Sequence, residues 1–278
     1  MFTRNPFADL SATISPAVMQ CFIIVMIAFV VLGTLYDMAH KGSAKYFFEN
    51  WRKSQSRGTR SLGGGELISI AVQTGLGPVL MSSEFCNVRR RIAHLLGMYG
   101  FVAYALATFM MVFYYPTSAN AGIWAPLWWL GALAVCVGGY WFWFFIRADV
   151  SAEGQSPFRL MKADLFILSM LVSTTAGLIW AYLQPTGSGW STLFLGIYLI
   201  ATIVLFGGVP WSKFSHMFFK PAAAFEKKVS AATGFRNNLP KFADRTDPAD
   251  RDRHSMGLLK DAPLDMGLGI KREAPRHY

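Results

Sequence analysis

The sequence predicts an all-α membrane protein with five transmembrane helices. Its N-terminus is expected outside and its C-terminus inside, with an interfacial helix in the first cytoplasmic loop and an extended cytoplasmic C-terminal tail. Three observations predict this. Apolar residues make up 53% of the chain and gather in long blocks, as membrane spans do. Charged residues make up only 15%, against about 25% in an ordinary soluble domain. Lysine and arginine fall in alternate loops. In a soluble protein the net charge of +10 would suggest nucleic acid. Here membrane topology accounts for the basic loops, and no nucleic-acid partner is expected.

The elements follow in order. Residues 1–16 are short and polar, with Pro6 and Pro16. The first span is predicted over 17–39, a length suited to a bilayer core that needs about 20 helical residues. No early basic region with a cleavage site precedes it, so a retained helix is expected and not a signal peptide. Residues 41–91 form a long basic loop. Within it, 67–81 is apolar but short, and it contains Gly75, Gly77 and Pro78. It is read as a helix lying on the membrane surface. The second span covers 92–114 and ends at Tyr114-Tyr115-Pro116, an aromatic belt and a breaker. The third covers 123–146 and carries Trp124, Trp128, Trp129, Trp141 and Trp143, read as interface anchors. The fourth covers 163–183, and an uncharged Gln-Pro-Thr-Gly-Ser-Gly turn separates it from the fifth, 190–212.

Orientation follows from the basic residues. Nine Lys and Arg lie in 41–91, three in 147–162 and thirteen in 210–278, which leaves only Arg4 for the opposite side. The basic loops therefore belong in the cytoplasm. Residues 1–219 form the membrane domain. Residues 220–278 are polar, with a short helix expected over 222–232, and read as a tail that orders along a partner. Cys21 and Cys136 lie in apolar runs and are read as packing residues. Three cysteines without a CxxC cannot complete a four-cysteine iron–sulfur site.

The histidines carry the candidate chemistry. His94 stands one turn inside the second span, just after Arg89-Arg90-Arg91, and His216 closes the fifth. With this topology both lie at the cytoplasmic end, as does His40. Two neutral imidazoles on neighbouring helices can supply both axial ligands of a haem iron. Gly97 and Gly100, above His94, would let a flat porphyrin approach, although small residues also serve helix packing. On spacing alone, histidines that merely contact headgroups remain the competing reading. Depth is a difficulty too. If the fifth span ends near Pro210, a continuous helix carries His216 about 9 Å further, so a kink, a tilt or a haem at the bilayer edge is required.

The run Phe85-Cys86-Asn87-Val88-Arg89-Arg90-Arg91-Ile92-Ala93-His94-Leu95-Leu96, followed by Tyr99-Gly100-Phe101, resembles the haem-bearing helix of the nitrate reductase gamma-subunit superfamily, and most of all the membrane domain of QmoC. Pro210-Trp211-Ser212-Lys213-Phe214-Ser215-His216-Met217 resembles the end of that family's fifth helix. The resemblance covers about residues 15–225. It implies one b-type haem held by His94 and His216, with His40 in reserve. It also implies quinone as substrate. The stretches matching a second, deeper histidine pair, 102–107 and 193–203, hold no histidine, so one haem is expected. A stand-alone five-span chain ending in Met256-Gly257-Leu258-Leu259-Lys260-Asp261-Ala262-Pro263 is similar to the AprM-type membrane anchors of adenylylsulfate reductase. That similarity implies a cytoplasmic flavin and iron–sulfur partner, a bacterial inner-membrane location, and an electron-transfer subunit with no catalytic residue of its own. The alternative is a haem-free anchor that only recruits the enzyme. A transporter is disfavoured, since neither internal repeats nor intramembrane charges stand out.

Overall fold

A computed structural model describes residues 2–85, 87–147, 158, 160–236 and 247–249. Among these residues the chain is helical, without strands, and five helices are long and apolar enough to cross a membrane. A short helix, α1 (Pro6–Leu10), precedes the first of them, α2 (Pro16–Lys41). Proline at the first helical position suits the start of α2. Gly42, at φ +63°, ends it in the left-handed conformation that glycine adopts freely. The other spans are α5 (Val88–Tyr114), α6 (Trp124–Trp141), α7 (Leu165–Leu183) and α8 (Gly189–Gly207). A π-helical segment, Phe142–Arg147, lengthens α6.

The basic loop holds more structure than expected. It folds into α3 (Ser43–Arg57) and α4 (Gly64–Thr74), and a π-helical turn, Gly75–Leu80, follows. The expected helix at 67–81 therefore begins earlier and loses its regular form at Gly75, where two glycines and Pro78 enter. The short helix expected over 222–232 is the latter part of α9 (His216–Thr233). The fifth span ends at Gly207, not near 212. The residues after it turn back on themselves: the Gly208 amide still bonds the Val204 carbonyl at 2.9 Å, and Trp211 and Ser212 both donate to the Gly208 carbonyl. Most of the 147–162 loop and most of the tail, 237–278, lie outside the described residues.

Helix packing depends on small residues. A Cβ on Gly131 would sit 2.7 Å from the Tyr104 amide nitrogen, and one on Gly100 2.8 Å from the Gly131 carbonyl, so α5 and α6 touch backbone to backbone. This is the close approach that small residues permit between membrane helices. Trp128 and Trp129 are buried, at 0% and 4% exposure. They are core residues, which corrects their reading as interface anchors. Trp128 donates its indole N–H to Thr108 Oγ1 at 3.0 Å. The indole lies edge-on to Phe7 and tilted against Tyr104, so α1 is drawn onto this end of the bundle. Asn5 fastens α1 there, through Nδ2 to the Tyr115 and Ser118 carbonyls at 2.8 and 3.1 Å. Among the described residues Arg4 is the only Lys or Arg in the segments that make this end.

The opposite end carries α3, α4 and α9. Trp51 of α3 stacks on Phe225 of α9 at 5.7 Å. The Thr233 carbonyl accepts from the Thr59 amide at 2.8 Å, and the Ala232 carbonyl from Arg60 Nε at 3.1 Å. A buried ion pair joins Arg147 to Asp164 at this same end. Trp143 lies under the Arg147 guanidinium, 4.1 Å away.

Candidate metal-ligand site: the paired histidines

Two segments converge at the basic end, and each presents one imidazole. His94 stands in the second turn of α5. Asn87 starts that helix by accepting from the Arg89 and Arg90 amides at 2.9 and 3.4 Å, a side-chain N-cap. Three arginines in a first turn oppose the helix dipole, so membrane topology explains them better than helix stability. His216 opens α9, directly after the turn that follows α8. His94 and His216 are electrostatic neighbours, and Lys220 is a neighbour of both. His216 is not a continuation of the fifth span but opens a separate helix, α9, after the turn at 208–212.

Each imidazole is oriented through Nδ1. His94 Nδ1 is 3.0 Å from Ser82 Oγ. His216 Nδ1 bonds the Lys213 carbonyl, which requires the proton on Nδ1 and leaves the lone pair on Nε2. Neither Nε2 has a hydrogen-bond partner among the described residues. Metal-bound histidines have this arrangement, with one nitrogen free to ligate and the other held by a carbonyl or hydroxyl.

The support for each ring is extensive. Ser82 is buried at φ +48°, a left-handed conformation uncommon for residues other than glycine. The turn that holds it is fixed by Arg91 Nε donating to the Met81 carbonyl at 2.7 Å and Tyr99 Oη to the Leu80 carbonyl at 2.8 Å. Phe85 packs on the His94 ring at 4.9 Å, and Phe166 of α7 meets His216 edge-on at 5.7 Å. Ser215, next to His216, donates to the buried carboxylate of Asp37 at 2.9 Å, and Lys41 pairs with that carboxylate at 2.5 Å. The end of α2 thus anchors the turn that carries His216. Ser82, Asp37 and Ser215 carry no sequence signal for these roles, because each acts through a contact distant in the chain.

The remaining expected residues fare differently. His40 is exposed on the last turn of α2, stacked face to face on Tyr36, and is not part of the pair. Gly100 is occupied by helix packing, as described above. The space beside Gly97 is open, with nothing within 4 Å of a Cβ built there. Among the described residues no group of three or more His, Cys, Asp or Glu side chains could hold a bare metal ion. A two-imidazole set needs a planar group to supply the other ligands, and a porphyrin does so. The two imidazoles, each with an Nε2 that has no hydrogen-bond partner among the described residues, are donors of the type that a haem iron takes.

Burial holds the His216 pKa below its ordinary value; Lys220 and Lys213 push the same way, and the Lys213 carbonyl opposes them. A group with a depressed folded-state pKa favours folding above its unfolded pKa, about 6.5 for histidine. That contribution is lost as pH falls through the folded-state value. Thermal stability of the purified protein is therefore expected to decline between pH 7.5 and 5, and more steeply than in His216→Gln. A decline of equal slope in the variant would remove His216 as the cause.

No family model matches this chain, and no curated protein or solved structure matches it either.

Proposed function

We propose that this chain passes electrons between a cytoplasmic flavin and iron–sulfur enzyme and the membrane quinone pool, through one b-type haem. His94 and His216 would hold it. The haem would supply one-electron relay between the two partners. The observation that carries the proposal is the pair of neighbouring imidazoles, both tied through Nδ1 and both free at Nε2. The chain's own work would be to orient these rings, through Ser82 and the Lys213 carbonyl, and to pack them, through Phe85 and Phe166.

The basic end would face the cytoplasm of a bacterial inner membrane, by the positive-inside rule. The resemblance to AprM-type anchors makes adenylylsulfate reductase the proposed partner, oxidising sulfite with AMP to adenylylsulfate and releasing two electrons. The tail beyond α9 would be its docking arm. A reduced-minus-oxidised absorbance spectrum of the purified chain tests the reading. A low-spin b-type signal supports it. Protein folded and purified without haem would instead be a structural anchor.

Ser82→Ala tests the orienting role. Losing the outer partner of a metal-bound histidine lowers metal affinity by roughly 10–100-fold. Haem transfer to an apo-acceptor protein is expected to speed up accordingly, while the helix content stays the same. Unchanged transfer would remove Ser82 from the site.

A further inference from the structure

The bundle leaves a cavity of about 480 Å³ between α2 on one side and α5, α7 and α8 on the other. Protein interiors are close-packed, with few voids larger than a water molecule, so a space of this size calls for an occupant. Its shape follows from how α2 is attached. At one end Gln20 Nε2 donates to the Val112 carbonyl at 3.2 Å. At the basic end a Cβ on Gly33 would sit 3.0 Å from Val209 Cβ, and Ser215 donates to Asp37. Between these ties α2 stands off. Met19, Phe22, Ile23, Met26, Ile27 and Val30 line the cavity, at the spacing of one helical face. Of these only Met19 and Met26 are buried, so protein covers this apolar face only in part.

The wall selects hydrocarbon. It is almost wholly apolar, and the hydroxyls that reach it are committed to protein. Thr108 donates to the Tyr104 carbonyl, Thr174 to the Met170 carbonyl and Thr202 to the Tyr198 carbonyl, at 2.8, 2.8 and 2.7 Å. Ser173 pairs with Thr202 Oγ1 at 2.8 Å. Water needs several polar partners to stay in a buried site, and a hydrocarbon chain needs none. From Val18 to Val31 the lining residues of α2 span about 20 Å of helix. That is long enough for an acyl chain that fills half of a hydrocarbon core about 30 Å thick.

Charge selects the headgroup and the leaflet. At the far end Phe7, Leu10 and Ile14 line the cavity, and Arg4 pairs with Asp9 at 2.7 Å. At the other end Met217, Phe218 and Val31 line it, and Phe218 and Val31 are exposed. Lys213 precedes this rim and Lys220 follows it. Both are exposed, both are electrostatic neighbours of His216, and neither forms an ion pair among the described residues. Trp211, in the same turn, is exposed, as tryptophans at headgroup level are. We propose that this cavity holds one acyl chain of an anionic phospholipid from the leaflet at the basic end, with its phosphate bound by Lys213 and Lys220. Basic pockets between membrane helices recognise anionic headgroups in this way. The lipid joins α2 to the bundle over the stretch where protein contacts are sparse. Neither His94 nor His216 lines the cavity, so the lipid site is separate from the paired histidines and does not rest on the electron-transfer reading.

The purified full-length chain is delipidated in detergent, incubated with phosphatidylglycerol or with phosphatidylcholine, and weighed by native mass spectrometry. One phosphatidylglycerol per chain is expected to stay bound, and phosphatidylcholine to bind at least tenfold more weakly. The double variant Lys213→Gln/Lys220→Gln is expected to weaken phosphatidylglycerol about twentyfold, at about fivefold for each basic residue near an anionic headgroup, and to leave phosphatidylcholine unchanged. Ala105→Phe, which puts a ring into the cavity, is expected to abolish the retained lipid. Equal retention of the two lipids, an unaltered preference in the lysine variant, or full retention in Ala105→Phe overturns the proposal. Displacement of phosphatidylglycerol by equimolar palmitate also overturns it, since the site would then take a free fatty acid. A lipid-free dimer does the same, since a second copy would then fill the space. If Ala105→Phe does not fold, the lysine variant decides.

Discussion

His94→Ala and His216→Ala are each expected to abolish the low-spin haem spectrum, and His40→Ala to leave it nearly unchanged. An iron with two strong imidazole ligands is low-spin, and loss of either leaves the site empty or high-spin. The geometry separates the three histidines clearly. His94 and His216 are neighbours with free Nε2 atoms and fixed rings, whereas His40 stacks on Tyr36 at the exposed end of α2. The measurement is the reduced-minus-oxidised spectrum together with the haem-to-protein ratio. If His40→Ala removes the spectrum and His216→Ala does not, α2 and α5 hold the group and the pairing proposed here is wrong. Changing His216 also tests the fold-back. Its ring sits on Phe166 of α7, so the Ala variant should lose some stability even without haem, and His40→Ala should lose none.

Five apolar helices were legible in the sequence because each apolar block exceeds the length that a bilayer demands, and no soluble helix needs such a run. The ends of the spans were less legible. The fifth looked longer than it is because Val209, Phe214 and Met217 continue the apolar run past Gly207. In the structure Val209 and Phe214 are buried in a turn. Hydropathy reports burial, whether in lipid or in protein. The same ambiguity misplaced Trp128 and Trp129, whose size suits an interface belt but whose indoles fill the core. The helix α3 was missed for the opposite reason. Its polar composition hides an aromatic stripe, Phe47 and Trp51, that meets α9 through Phe225. Of the candidate site, the two histidine positions were readable. Their supports were not, since Ser82 reaches His94 across 12 positions and Asp37 holds Ser215, next to His216, across 178, through contacts that spacing does not encode.

Gly138→Val is expected to destabilise the protein by about 3 kcal/mol, the upper end of the usual cost of overpacking. A Cβ at 138 would lie 2.7 Å from the Ala93 carbonyl, 2.8 Å from Leu96 Cβ and 3.0 Å from the Gly97 amide nitrogen. Two of these three neighbours are backbone and cannot rotate away, so α5 must separate from α6 at the turn that carries His94. Loss of stability and loss of haem should therefore occur together. Gly97→Ala is the matching control. Nothing lies within 4 Å of its Cβ, and alanine gains about 0.8–1 kcal/mol of helix propensity over glycine. That variant should be at least as stable as the parent in a thermal or detergent unfolding assay. Its haem content then tests one remaining role from the sequence. A fall in haem at undiminished stability would mean that the porphyrin lies over Gly97. Full occupancy would mean that the open space beside Gly97 is not where the porphyrin lies. A Gly138→Val protein as stable as the parent would show that α5 and α6 do not pack through these glycines, and the placement of His94 would fall with that packing.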